Sequence, residues 1–171
     1  MSIFLDTYQG ERLDVIDTLG DFTVPDVSDI YADIRLRNTA ATQARAVMDL
    51  REVDSRADFW RHGVLQVIDF YDSYKRLSGL DLAMQTFSEE PPMTGIDEVD
   101  AGLAALADYL ARRDGWQAPS WAFNPVRVHR VQGWRSAPVM SDWLRVYQEK
   151  HAVPEFSKRG IIVDEHSLTR I

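Results

Sequence analysis

The sequence predicts a mainly α fold, a compact helical bundle with a Trp/Pro-rich C-terminal cap and at most one short strand-like run. Three observations predict it. Apolar residues recur at three- and four-residue intervals along most of the chain. Capping residues precede these stretches, and glycine or proline follows them. Only Ile161-Ile162-Val163 has the β-branched character of a strand, and one short run makes no sheet. At 171 residues, 45% of them hydrophobic, the chain has the size of one domain with a continuous core. We take 1–171 as a single domain made of an acidic helical half, 1–87, and a Trp/Pro-rich module, 88–171.

The elements follow in order. From Phe4 to Phe22, Leu13, Ile16 and Leu19 alternate with acids at loosely helical spacing, interrupted by Gly10 and closed by Gly20, which predicts one or two short helices. Pro25-Asp26 starts a further face at Val27, Ile30, Tyr31 and Ile34. Asn38-Thr39 caps a segment rich in alanine, with Val47, Met48 and Leu50 in register. Ser55-Arg56-Ala57-Asp58 resembles a capping box opening a long helix through Phe59, Trp60, Leu65, Ile68, Tyr71 and Tyr74, which Gly79 ends. A short helix from about Asp81 to Ser88 stops at Pro91-Pro92, because a second proline cannot continue it.

After the Thr94-Gly95 turn, Val99, Leu103, Leu106, Ala107 and Leu110 make the cleanest amphipathic pattern, ended by Arg112-Arg113-Asp114-Gly115. The chain then turns irregular, with Trp116, Pro119, Trp121, Phe123, Pro125, Trp134 and Pro138. Ser141-Asp142 caps a last substantial helix carrying Trp143, Leu144, Val146 and Tyr147. Pro154 opens a short turn that Arg159-Gly160 breaks, and Asp164 caps the final one.

Composition excludes several function classes. There are no cysteines, so disulfides and thiolate chemistry are ruled out. Nineteen basic residues against 27 acidic ones give a net charge of -8, a poor match for a phosphate backbone. No apolar run approaches the roughly 20 residues of a membrane span. The N-terminus lacks the features of a secretory signal, so a cytoplasmic protein is expected. No phosphate loop, nucleophile elbow or paired-His zinc helix is present, and neither cofactor nor enzymatic activity is expected.

Candidate sites have competing structural roles. Asp14, Asp17 and Asp21 beside Leu13, Ile16 and Leu19 form an acidic amphipathic front suited to a basic cleft, or else a solvated helix face. This front also opposes a basic tail, so the two ends either pair internally or the front serves a basic partner. Trp116, Trp121 and Trp134 either line a ligand pocket or fill the core of a loop-rich module, with Trp121 or Trp134 the ring expected at a binding surface. Arg127 and Arg130 offer a small anion site or a stack on Trp134. Arg112-Arg113 and Lys158-Arg159 suit phosphate or the C-terminal dipole of a helix. Asp164-Glu165-His166 has a metal-like composition, but neighbouring residues point apart and no second His stands at ligand spacing.

From Ser88 onwards, the order of motifs is Glu90-Pro91-Pro92-Met93-Thr94-Gly95, Leu106-Ala107-Asp108-Tyr109-Leu110-Ala111-Arg112-Arg113 and Ala118-Pro119-Ser120-Trp121-Ala122, then Trp134 and Phe156-Ser157-Lys158-Arg159-Gly160-Ile161-Ile162-Val163. This order resembles the C-terminal region of bacterial, especially actinobacterial, antitoxin-like proteins encoded beside nucleotidyltransferase-like toxins, where an N-terminal helix-turn-helix often precedes it. The resemblance covers about the last half of the chain. It implies a non-catalytic protein that binds and neutralises a cognate toxin enzyme. No Gly-centred helix-turn-helix with a basic recognition helix stands before Ser88, so autorepression is not implied. The alternatives are a small-molecule or sensory domain with a Trp-lined pocket and, against the charge, a DNA-binding regulator. Homo-oligomerisation is left open.

Overall fold

The computed structural model describes residues 38–169, all of them within one compact unit, Ile34–Ile171. The two helical segments expected before Ile34, with the acidic front, lie outside the described residues. Among the described residues the regular structure is helical. The strand-like run makes one isolated bridge, Ile161 with Trp134, and the residue after it, Asp164, makes another with Ala152.

Helix α1, Ala40–Val53, starts where expected: the Thr39 hydroxyl accepts from the Thr42 amide while the Thr42 hydroxyl accepts from the Thr39 amide. Its alanines Ala40, Ala41 and Ala44 are buried, which lets the backbone come close to its neighbours. The next helix is capped by Asp58, whose carboxylate accepts from the Arg61 amide at 3.1 Å, and not by Ser55. Its first turns are wound as a π-helix, Arg61–Leu65, before α2, Gln66–Ser78. The Gln43 side chain donates to the His62 carbonyl within this wide turn, at 2.6 Å. Gly79, at φ +86°, ends α2, and α3, Leu80–Met84, runs into a 3₁₀ turn, Gln85–Phe87.

Helix α4, Asp97–Asp114, is the axis of the fold. The sequence pattern predicts an amphipathic helix, but the structure buries it on nearly all sides, from Val99 to Ala111. The reason is composition: Ala101, Gly102, Ala104, Ala105 and Ala107 on the remaining faces are small enough to let other elements approach. The π-helical turn, the 3₁₀ turn Ser120–Phe123 and the C-terminal helix α6, Pro154–Ser157, pack against it. Two glycines set the closest approach. A Cβ on Gly102 would lie 2.6 Å from Val64 and 2.9 Å from Trp60, and one on Gly63 would lie 2.8 Å from Val99.

Buried polar groups tie the ends of α4. Asp100 is 4% exposed and accepts from the Thr94 amide and hydroxyl and from the Gly95 amide at 2.8–3.0 Å, which holds the expected turn against the first turn of the helix. At the other end Gly115 adopts φ +76°, and Asp114 accepts from Tyr71, Lys75 and Arg113. Burial opposes ionisation of Asp114, yet these three donors outweigh it and hold the carboxyl down at about 2. Burial and the Asp114 hydrogen bond push the Tyr71 phenol well above its usual range. The last elements are α5, Asp142–Lys150, then α6 and α7, Glu165–Leu168.

Candidate partner-binding surface

The helix with Ser141 as its N-cap contrasts with all the longer ones. Ser141 accepts from the Leu144 amide and closes the first turn of α5, as expected. None of the nine residues from Asp142 to Lys150 is buried, and only Leu144 and Gln148 are half-buried. Trp143 is 72% exposed, Val146 56% and Tyr147 43%, and Met140, just before the helix, is 91% exposed. Exposed apolar side chains scattered singly need no explanation, but here four lie within eight residues.

The exposed rings are ordered by the helix itself. Trp143, Tyr147 and His151 stand four residues apart and stack in a ladder, with centroids 5.5 and 4.2 Å apart. The His151 Nδ1 lies 2.8 Å from the Tyr147 carbonyl. Local ion pairs hold the frame, Arg145 with Asp142 along the helix and Arg135 with Glu149 from the preceding loop. The result is a preformed apolar ridge with Arg145 and Lys150 on the same element.

The tryptophans singled out in the sequence divide between two stacks. Trp121 is 8% exposed and belongs to the core, with its indole donating to the Phe87 carbonyl at 3.2 Å. Trp116 stacks on Tyr71 and Phe87 and donates to the Tyr71 hydroxyl at 2.9 Å. Trp134 lies in a separate stack, 5.2 Å from Trp60 and 5.4 Å from His129. The three rings therefore line no common pocket. The expectation that Trp121 stands at the surface is corrected: a loop with few aliphatic residues must use its largest ring to fill the core. Trp134 is half-buried and lines a cleft of about 350 Å³ with Phe59, Arg51, Glu98 and Arg130.

The basic residues are divided in the same way. Arg127 and Arg130 form no joint anion site: Arg127 is buried, bound to Glu90 and the Pro91 carbonyl, whereas Arg130 pairs with Asp97 at 2.6 Å. The Arg130 hydrogen bond holds the Asp97 carboxyl below the usual carboxylate range. Arg127 lies 5.3 Å over Trp121 and not on Trp134. Arg112 holds the buried Glu155, Arg113 joins Asp72 and Asp114, and Arg159 is buried against Asp108 and the carbonyls of Glu155 and Ala122. These three arginines serve the fold, and Lys158, exposed, lines a cleft.

Asp164 caps α7 by accepting from the Ser167 amide. Among the described residues no three His, Asp or Glu side chains are grouped to hold a metal, and no helix is long and apolar enough to cross a membrane. Leu13, Asp14, Ile16, Asp17, Leu19 and Asp21 lie outside the described residues.

Fold and surface together define a mainly α protein whose α5 presents an aromatic ridge that its own core leaves uncovered. No protein-family model, no curated protein and no solved structure matches the chain.

Proposed function

We propose that the chain is a non-catalytic, antitoxin-like cytoplasmic protein that binds and neutralises a partner enzyme through protein–protein contacts. The observation that carries the binding part is α5, a self-capped helix with no buried residue and an ordered ladder of exposed rings. Tryptophan and tyrosine supply large contact area at small entropic cost, which makes them the residues around which interface energy concentrates. Arg145 and Lys150 beside them fit an apolar groove with carboxylates on its rim. The antitoxin part rests on the resemblance of the Ser88–Val163 motifs, which imply a nucleotidyltransferase-like toxin as the partner. The acidic front, Asp14, Asp17 and Asp21 with Leu13, Ile16 and Leu19, adds a second contact of opposite charge.

The test is co-expression with the product of the adjacent gene, followed by size-exclusion chromatography and a growth assay. The neighbour alone should arrest growth, the pair should co-elute, and Trp143→Ser with Tyr147→Ser should lose both complex and rescue while staying folded. A harmless neighbour that elutes separately refutes the proposal.

A second reading has one observation in its favour. The Trp134 cleft has the volume of a small-ligand site and combines two aromatic walls, Trp134 and Phe59, with charges of both signs. It makes the chain a small-molecule sensor, and ligand-dependent thermal stabilisation without any protein partner would favour it over the first.

A further inference from the structure

The Trp134 cleft, of about 350 Å³, has two aromatic walls, Phe59 and Trp134, and two polar groups that the fold leaves without a hydrogen bond, the Glu98 carboxylate and Nε2 of His129. Trp134 packs against the rings of Trp60 and His129, which fix it in place. Phe59 and Trp60 lead directly into the π-helical turn Arg61–Leu65. Turns of this kind concentrate at functional sites.

His129 is the unusual member of this lining. It is 5% exposed, and its Nδ1 is taken up by the Val131 backbone, 2.8 Å from the carbonyl and 3.1 Å from the amide. Nε2 has no hydrogen-bond partner among the described residues, yet it is not sealed from solvent. The Glu98 carboxylate stands 4.0 Å away, beyond hydrogen-bond distance, with its side chain 24% exposed. A carboxylate opposite Nε2 keeps a proton on that nitrogen, because a bare lone pair would face the negative charge. The dipole of α4 accounts for an acid in its first turn, but not for a buried imidazole turned towards that acid. A donor and an acceptor are therefore left 4.0 Å apart on the lining of an open cleft.

We propose that this cleft binds a neutral, hydroxyl-bearing ring. The hydroxyl oxygen sits about 2.8 Å from both groups, accepting from His129 Nε2 and donating to Glu98, while the ring lies against Phe59 and Trp134. Neutrality follows from the rest of the lining, where Arg51 and Arg130 balance Asp97 and Glu98. A carboxylate ligand is repelled by Glu98, and an ammonium meets the Nε2 proton. The inference rests on the second reading above, of this cleft as a small-ligand site. A phenol and a sugar with an apolar face share this chemistry.

The experiment titrates the full chain with phenol, its methyl ether anisole, methyl β-D-glucopyranoside, benzoate and benzylamine. It follows the Trp134 indole N–H resonance, assigned with Trp134→Phe. Phenol or the glucoside should bind saturably, shift that resonance, and lose fivefold or more in affinity in Glu98→Ala, which alters a partly exposed side chain. Anisole, which has no proton to donate to Glu98, should bind at least fivefold more weakly than the better of the two. His129→Phe keeps the ring and removes Nε2, and should lower affinity as Glu98→Ala does. If it fails to fold, Glu98→Ala and the anisole comparison decide. Tighter binding of phenol identifies an aromatic alcohol as the natural class, and tighter binding of the glucoside identifies a sugar. Anisole binding as tightly as the hydroxyl compound, or undiminished affinity in Glu98→Ala, would overturn the proposal. Tighter binding of benzoate or benzylamine would also overturn it while leaving the cleft a small-ligand site, and no saturable binding of any compound would remove both.

Discussion

Helices α4 and α5 are built from similar residue types and end in opposite situations. Both carry aliphatic residues at helical intervals among charges, both begin on an acid, and both have cations in the last turn that offset the helix dipole. Yet α4 is buried from Val99 to Ala111 except at the half-buried Asp108, while no residue of α5 is fully buried. The difference lies in the residues between the large apolar ones. In α4 most of these are alanine and glycine, with Asp100 satisfied by Thr94 and Gly95 and Asp108 by Arg159, so three elements close around it. In α5 they are Asp142, Arg145, Gln148 and Glu149, whose desolvation would cost more than the ridge gains from the chain's own core. The large ring of Trp143 on this helix therefore stays in solvent.

Substitutions can break this contrast. Leu106→Ala, in the fully buried face of α4, should lower unfolding free energy by about 2–5 kcal/mol in urea denaturation. A smaller loss would mean that the surrounding elements collapse onto the gap. Asp100→Ala should cost about 1–3 kcal/mol, because it strands the Thr94 and Gly95 donors in a buried turn.

Acid should act on the same helix through Asp114. Its folded carboxyl is held at about 2, below the unfolded value, so its stabilisation is present above roughly pH 4 and disappears as pH falls towards 2. Asp114→Asn should flatten that part of the pH–stability profile by about 2 kcal/mol. The smallest stability effect belongs to the other helix. Trp143→Ser should change unfolding free energy by no more than about 0.5 kcal/mol, since its ring is largely exposed. If the proposed function holds, the same variant weakens the complex with the adjacent gene's product tenfold or more, measured by calorimetry. A large loss of stability instead would show that the ridge packs against this chain.

The helical order was legible because caps and breakers are local. Thr39, Gly79, Gly115, Ser141, Pro154 and Asp164 all act where the sequence places them. The π-helical turn was not, since Arg61–Leu65 reads as ordinary helix and its wider winding accompanies the close approach of Gly63 to Val99. For the exposed ring the sequence singled out Trp121 and Trp134; the structure buries Trp121, half-buries Trp134 and leaves Trp143 72% exposed. The available signal was the charge flanking Trp143 within a capped helix, against the prolines and alanine flanking Trp121.

The sequence by itself determined the mainly α class, most helix boundaries and the absence of thiol chemistry, because each depends on residue type and near neighbours. Only the tertiary structure decided which faces are covered, which arginines are satisfied and which tryptophan is exposed. Those outcomes depend on what other segments bring to the same place, and spacing along one segment carries no record of that. Arg127 and Arg130, three residues apart, show the consequence: one is enclosed over Trp121 and the other stands in solvent beside Asp97.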